Sequence, residues 1–179
     1  MISKSGILTA ALLLAAACAD QQPLAPESKM AAAAPGLGVC QNLEVPAGNE
    51  FALRVYAEGV QIYHWNGTSW SFDGPSAVLY ADRNKKAVLG THYAGPTWES
   101  TSGSKIVARV FDRCTPDANS IPWLLLEKVS NEKPGVFSKV SYIQRVNTVG
   151  GNAPAQPGAT MGEVAQVPYT ADYVFYQPQ

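Results

Sequence analysis

The sequence predicts an all-β fold, a single-domain antiparallel β-sandwich or barrel, and three observations carry that prediction. Apolar and polar residues alternate over short runs, as in Phe51-Ala52-Leu53-Arg54-Val55-Tyr56, where Phe51, Leu53 and Val55 share a face opposite Arg54. Each run is bounded by Gly, Pro, Asn, Asp or Ser, the residues that turn a chain. No window of a dozen residues keeps a helical period, which leaves hairpin-connected sheets as the architecture.

Taken in order, the chain begins with Lys4, an apolar run from Ile7 to Ala17 and small residues ending at Cys18. That is the layout of a secretory signal peptide over residues 1–17, and the run is too short to span a bilayer. Leu14-Ala15-Ala16-Ala17-Cys18 resembles the bacterial lipobox, in which cleavage precedes a cysteine that becomes lipidated, although Ala15 stands where that motif usually has Leu. Two readings follow. In one, Cys18 is the lipidation site of an envelope protein of the periplasm or outer membrane, and the membrane is a partner through acyl chains worth about 0.8 kcal/mol per buried methylene. In the other, the chain is secreted after cleavage at Ala15-Ala16-Ala17 and Cys18 is a free thiol. Residues 18–38, rich in Ala, Pro, Gln and Gly, read as a tether whose extended reach is on the order of 66 Å.

Residues 39–179, about 140 in number, suit one domain with one core. Cys40 and Cys114 are its two cysteines. In an exporting chain they are expected to pair, closing a loop of about 75 residues worth roughly 4.5 kcal/mol; the alternative is two separate buried thiols.

Phe51–Tyr56 and Val60–Trp65 read as a hairpin about a Glu58-Gly59 turn. Asn66-Gly67 predicts a second tight turn, folding Thr68–Phe72 back; Asn66-Gly67-Thr68 is also a glycosylation triplet, read here as a turn. Further strands are expected at Ala77–Ala81, Ala87–Tyr93, Ser104–Phe111, Trp123–Val129, Lys139–Asn147 and Ala171–Tyr176. Leu124–Glu127 fits a buried strand or a short buried helix equally well. Val149–Pro168, with four glycines and three prolines, reads as a long loop.

The runs VPAGNEFALRVYAEGVQIY, THYAGPTW, GSKIVARV, IPWLLLEKVS, SYIQRVNTVGGNAP and VPYTADYVFY resemble, in order and from about Val45 to Tyr176, the DUF3455 domain family of uncharacterised exported proteins of bacteria and fungi. The resemblance implies no activity. Relatives often carry a cysteine just after GVQIY and another after GGxAP; here those regions read His64-Trp65 and Ala155-Gln156-Pro157-Gly158. Some fungal members are labelled malate dehydrogenase, but this sequence has no Gly-x-Gly-x-x-Gly following a strand.

Net charge is −1, moving to about −2 without Lys4, and the basic residues are scattered, so nucleic acid is excluded as a partner. Chemistry concentrates in Gly90–Ser100, GTHYAGPTWES, which holds one of only two histidines. His92 and Glu99 are weak catalytic candidates for a hydrolase or isomerase, since acid–base work needs two such groups facing one another across a cleft. Asp73, Asp82, Asp112 and Asp172 are not marked out, and no Gly-x-Ser-x-Gly elbow occurs. His64, His92 and a carboxylate would suit a metal, but their spacing gives no support, so neither metal nor cofactor is expected. The aromatics are the better lead. Trp98 and Trp70, with His92, Tyr93 and Arg145, are the candidates for binding a small molecule, glycan or protein partner through an aromatic-lined surface near Gly90–Ser100. Trp123 reads as core. Arg109 and Arg145 interrupt apolar strands, either pointing to solvent or entering a pocket to pair with an acid such as Glu99. A structural or stress-protective surface protein is the remaining expectation.

Overall fold

The computed structural model describes residues 34–179. The signal peptide, Cys18 and most of the expected tether lie outside the described residues. Eight antiparallel strands close into one barrel in sequence order, each paired with its chain neighbours and the last with the first. They are β1 (Asn49–Trp65), β2 (Trp70–Tyr80), β3 (Val88–Tyr93), β4 (Thr97–Ser100), β5 (Lys105–Cys114), β6 (Trp123–Glu132), β7 (Tyr142–Gly150) and β8 (Val164–Pro178). The fold is therefore the barrel branch of the expected all-β class. Closure gives every strand a paired neighbour on both sides, so none is an edge strand.

Glu58-Gly59 is not a turn. β1 runs unbroken through it and pairs along most of its length with both β2 and β8. A Cβ at position 59 would sit 2.1 Å from the Ser76 carbonyl oxygen, so the glycine is there to let β2 approach closely at a corner of the barrel. The Asn66-Gly67 turn does form: Trp65 faces Trp70 across it, and the Asn66 side-chain oxygen accepts from the Thr68 and Ser69 amides. Leu124–Leu126 is a buried strand segment within β6. The expected loop at Val149–Pro168 is shortened at both ends, because β7 runs to Gly150 and β8 begins at Val164.

The inner faces of the strands make the main core, which includes Val55, Leu79, Trp98, Ile106, Ile143, Tyr173 and Phe175. One end of the barrel is filled by the β6–β7 connection, where Phe137 and Val140 are buried and the Phe137 ring lies 5.0 Å from that of Phe175. A second apolar layer lies outside the barrel. There, Cys40 and Leu43 pack with Leu125, and Leu37 and Val45 join Trp123, Tyr142, Val146 and Val174. The Cys40–Cys114 disulfide pins this N-terminal strap to the end of β5. Gln144, on the outer face of β7, donates to the Leu43 carbonyl and accepts from the Tyr176 hydroxyl, so its burial under the strap leaves its amide satisfied.

Candidate functional site

The end opposite Phe137 is where the barrel interior opens. Its rim comes from the β1–β2, β3–β4, β5–β6 and β7–β8 connections, and a pocket of about 260 Å³ descends from it. Register explains which side chains reach it. His92 faces Trp98 across β3 and β4, and Arg113, Leu124, Arg145 and Tyr173 are successive partners across β5, β6, β7 and β8. All six line the pocket.

His92 and Trp98 are both buried, with rings stacked at 4.3 Å and 15°, and the Tyr173 ring meets each of them edge-on. The His92 Nδ1 lies 2.8 Å from the Thr97 carbonyl oxygen, which makes Nδ1 the protonated nitrogen. Burial, opposed by that hydrogen bond and aided by the Arg145 charge, lowers the His92 pKa to about 3. His92 is thus a neutral imidazole. Trp98 is fully enclosed, so it is a wall of the barrel interior and not part of an outer groove.

Other polar groups in this interior are unsatisfied. Gln61 Nε2, Trp98 Nε1 and the Tyr169 and Tyr173 hydroxyls are buried without a partner in hydrogen-bonding geometry among the described residues. The two hydroxyls nevertheless lie within loose hydrogen-bonding reach of each other, of Gln61 and of Arg145; burial raises both phenols and the Arg145 charge draws them back. A buried donor left unpaired costs about 1–3 kcal/mol, so the Trp98 indole N–H, with the poorly aligned contacts of the other three groups, is not a neutral feature of the fold.

Arg145 enters the pocket, as one of its two expectations had it, but pairs with no acid there. Its Nε and Nη2 donate to the Pro122 carbonyl at 3.1 and 2.8 Å. Arg109 takes the other course: it points outward and pairs with Glu127 across β5 and β6 at 2.6 Å.

The remaining candidates are elsewhere. Glu99 alternates with Trp98 along β4 and so leaves by the outer face, where it accepts from the Tyr93 hydroxyl at 2.7 Å and lies 4.0 Å from Lys105. His92 and Glu99 therefore do not share a cleft. Trp70 packs edge-on against Trp65 at the rim and donates to the Gln156 carbonyl. His64 is on the outside of β1 with Asp73, and Asp172 is held by Arg83 and Asn147. No group of three or more His, Cys, Asp or Glu among the described residues could hold a metal ion. Sequence reasoning missed Gln61, Arg113 and Tyr173; Arg113, one residue before Cys114, shifts to the inner face only through a bulge between Val110 and Asp112.

Two features link this geometry to the sequence resemblance. Trp65 lies against Gly158, where an added Cβ would be 2.5 Å from the indole, so the stretches following GVQIY and GGNAP are spatial neighbours joined here by packing. The disulfide runs between Cys40 and Cys114 instead. No curated protein and no solved structure matches the chain. The model of the DUF3455 family, described as a protein of unknown function, matches residues 46–177, the whole barrel but for Pro178, and the chain belongs to that family.

Proposed function

We propose that the chain is an exported, lipid-anchored binding protein that takes a small amphipathic molecule into the open end of its barrel. The observation that carries this reading is the pocket beside Trp98 and Tyr173, whose wall holds the buried Trp98 indole N–H without a partner among the described residues and, behind it, a cluster of buried polar groups. An apolar cavity with a few convergent polar groups is the usual form of a small-molecule site. Pro75, Pro96, Val110, Ile121 and Leu126 make up much of the rest of its wall, which favours an apolar body over a glycan's rows of hydroxyls. The disulfide suits an oxidising compartment, and Cys18 behind a signal peptide would supply the membrane partner. The alternative of a hydrolase or isomerase using His92 and Glu99 loses its motivation, because the two side chains leave opposite faces of the β3–β4 hairpin.

Nitrogen-15 NMR of the folded protein, titrated with small amphiphiles both charged and neutral, tests the reading. The Trp98 indole and Gln61 side-chain amide resonances should move while the Trp70 indole stays, and Val110→Trp at the rim should abolish the response. Shifts confined to the outer surface, or none at millimolar concentrations, would overturn it in favour of a structural role.

A further inference from the structure

The charge of the pocket says more than its shape. Two of its lining residues are arginines, Arg113 and Arg145, and none is Asp or Glu. They flank Leu124 on adjacent strands, at one level of the inner face. Neither guanidinium has a carboxylate within ion-pair distance among the described residues. Arg145 gives two N–H groups to one neutral carbonyl, that of Pro122, which satisfies hydrogen bonds without compensating charge. Its field is felt across the interior: it opposes the burial-driven rise of the Tyr63, Tyr169 and Tyr173 phenols. A partly buried cation without a counter-ion is costly, and an anion entering from solvent relieves it. We propose that the pocket selects an organic monocarboxylate, its head between Arg113 and Arg145 and its apolar body against Phe72, Val110, Leu124 and Leu126.

The inference rests on the binding reading above and specifies its ligand. Planar guanidinium groups match a carboxylate's two oxygens, and with both arginines engaged by one head group the rest of the lining, largely apolar, has no cation to hold a second carboxylate at the other end of the ligand. At about 260 Å³ the pocket has the volume of roughly nine liquid waters, so the ligand holds on the order of ten non-hydrogen atoms. Octanoate and cinnamate are of that size. Their neutral counterparts, 1-octanol and cinnamyl alcohol, keep the body and remove the charge.

Isothermal titration of the folded protein with these four probes decides the matter. Each carboxylate should bind at least tenfold tighter than its alcohol. Arg113→Gln, at an exposed position where folding is not at stake, and Arg145→Met should each weaken the carboxylates at least fivefold and leave the alcohols within twofold. Alcohols that bind as tightly as the acids, or carboxylate affinities unchanged in both variants, would overturn the anion assignment while leaving a binding pocket in place. If none of the four binds, the binding reading falls, and this one with it.

Discussion

His92 makes the stability of the barrel depend on pH in a calculable way. Its pKa is about 3 in the folded chain and 6.5 when unperturbed, chiefly because burial disfavours the imidazolium. Between those values the unfolded chain binds a proton that the native chain does not, so stability falls as the pH falls. The full difference of about 3.5 pH units corresponds to about 5 kcal/mol below pH 3, and about 2 kcal/mol of it should be lost between pH 8 and pH 5. Urea unfolding at those two pH values, for the native sequence and for His92→Phe, reads it directly. The variant loses the hydrogen bond to Thr97 at both pH values, so its offset cancels in the comparison, and His64 is common to both proteins. The native chain should lose about 2 kcal/mol more than the variant. Equal losses, or an imidazole titration near 6.5 for His92 in a His64→Gln background, would refute the burial argument.

Two further predictions concern the frame around the pocket. Replacing Cys40 and Cys114 together by alanine opens a loop spanning a sequence separation of 74 and should cost about 4.5 kcal/mol on the chain-entropy account, read as a fall in the urea midpoint; a loss under about 1 kcal/mol would mean that strap packing alone holds the segment. At Gly90 an added Cβ would lie 2.0 Å from the Glu99 carbonyl oxygen, so Gly90→Ala should force β3 from β4 and destabilise by about 3 kcal/mol, whereas Gly36→Ala, with open space around it, should stay within about 0.5 kcal/mol.

Much of this fold was legible because the strands obey a period of two and their turns are punctuated. What was not legible has identifiable causes. Gly59 carries the composition of a turn, but the closed barrel uses its missing side chain for close approach. β4, Thr97–Ser100, is only four residues long and hid inside the stretch singled out for chemistry. β2 reads as two separate runs, Thr68–Phe72 and Ala77–Ala81, because Asp73-Gly74-Pro75 stands between them; the sheet absorbs that interruption in the irregularity opposite Ile62 and Tyr63. Arg145 could not be assigned to a face from pattern, since the N-terminal strap covers the outside of β7 and Ile143, Gln144 and Val146 are all buried. Of the candidate site, His92, Trp98 and Arg145 were named from sequence and do converge; Tyr93 and Trp70 were named and do not, because alternation along β3 and the docking of residues 156–158 onto the rim aromatics place them elsewhere.

The pairing of β1 with β8 has a bearing on how the molecule comes into being. It runs from Asn49 opposite Pro178 to His64 opposite Val164, and Tyr173, a wall of the pocket, belongs to the later strand. A chain made from its N-terminus must therefore carry β1 with one side unpaired until β8 has been made, and that side is a template for any other extended segment. The pocket likewise stays incomplete until β8 is in place. Loss of even the final strand's second half would leave both an open sheet and a binding cavity with no back wall.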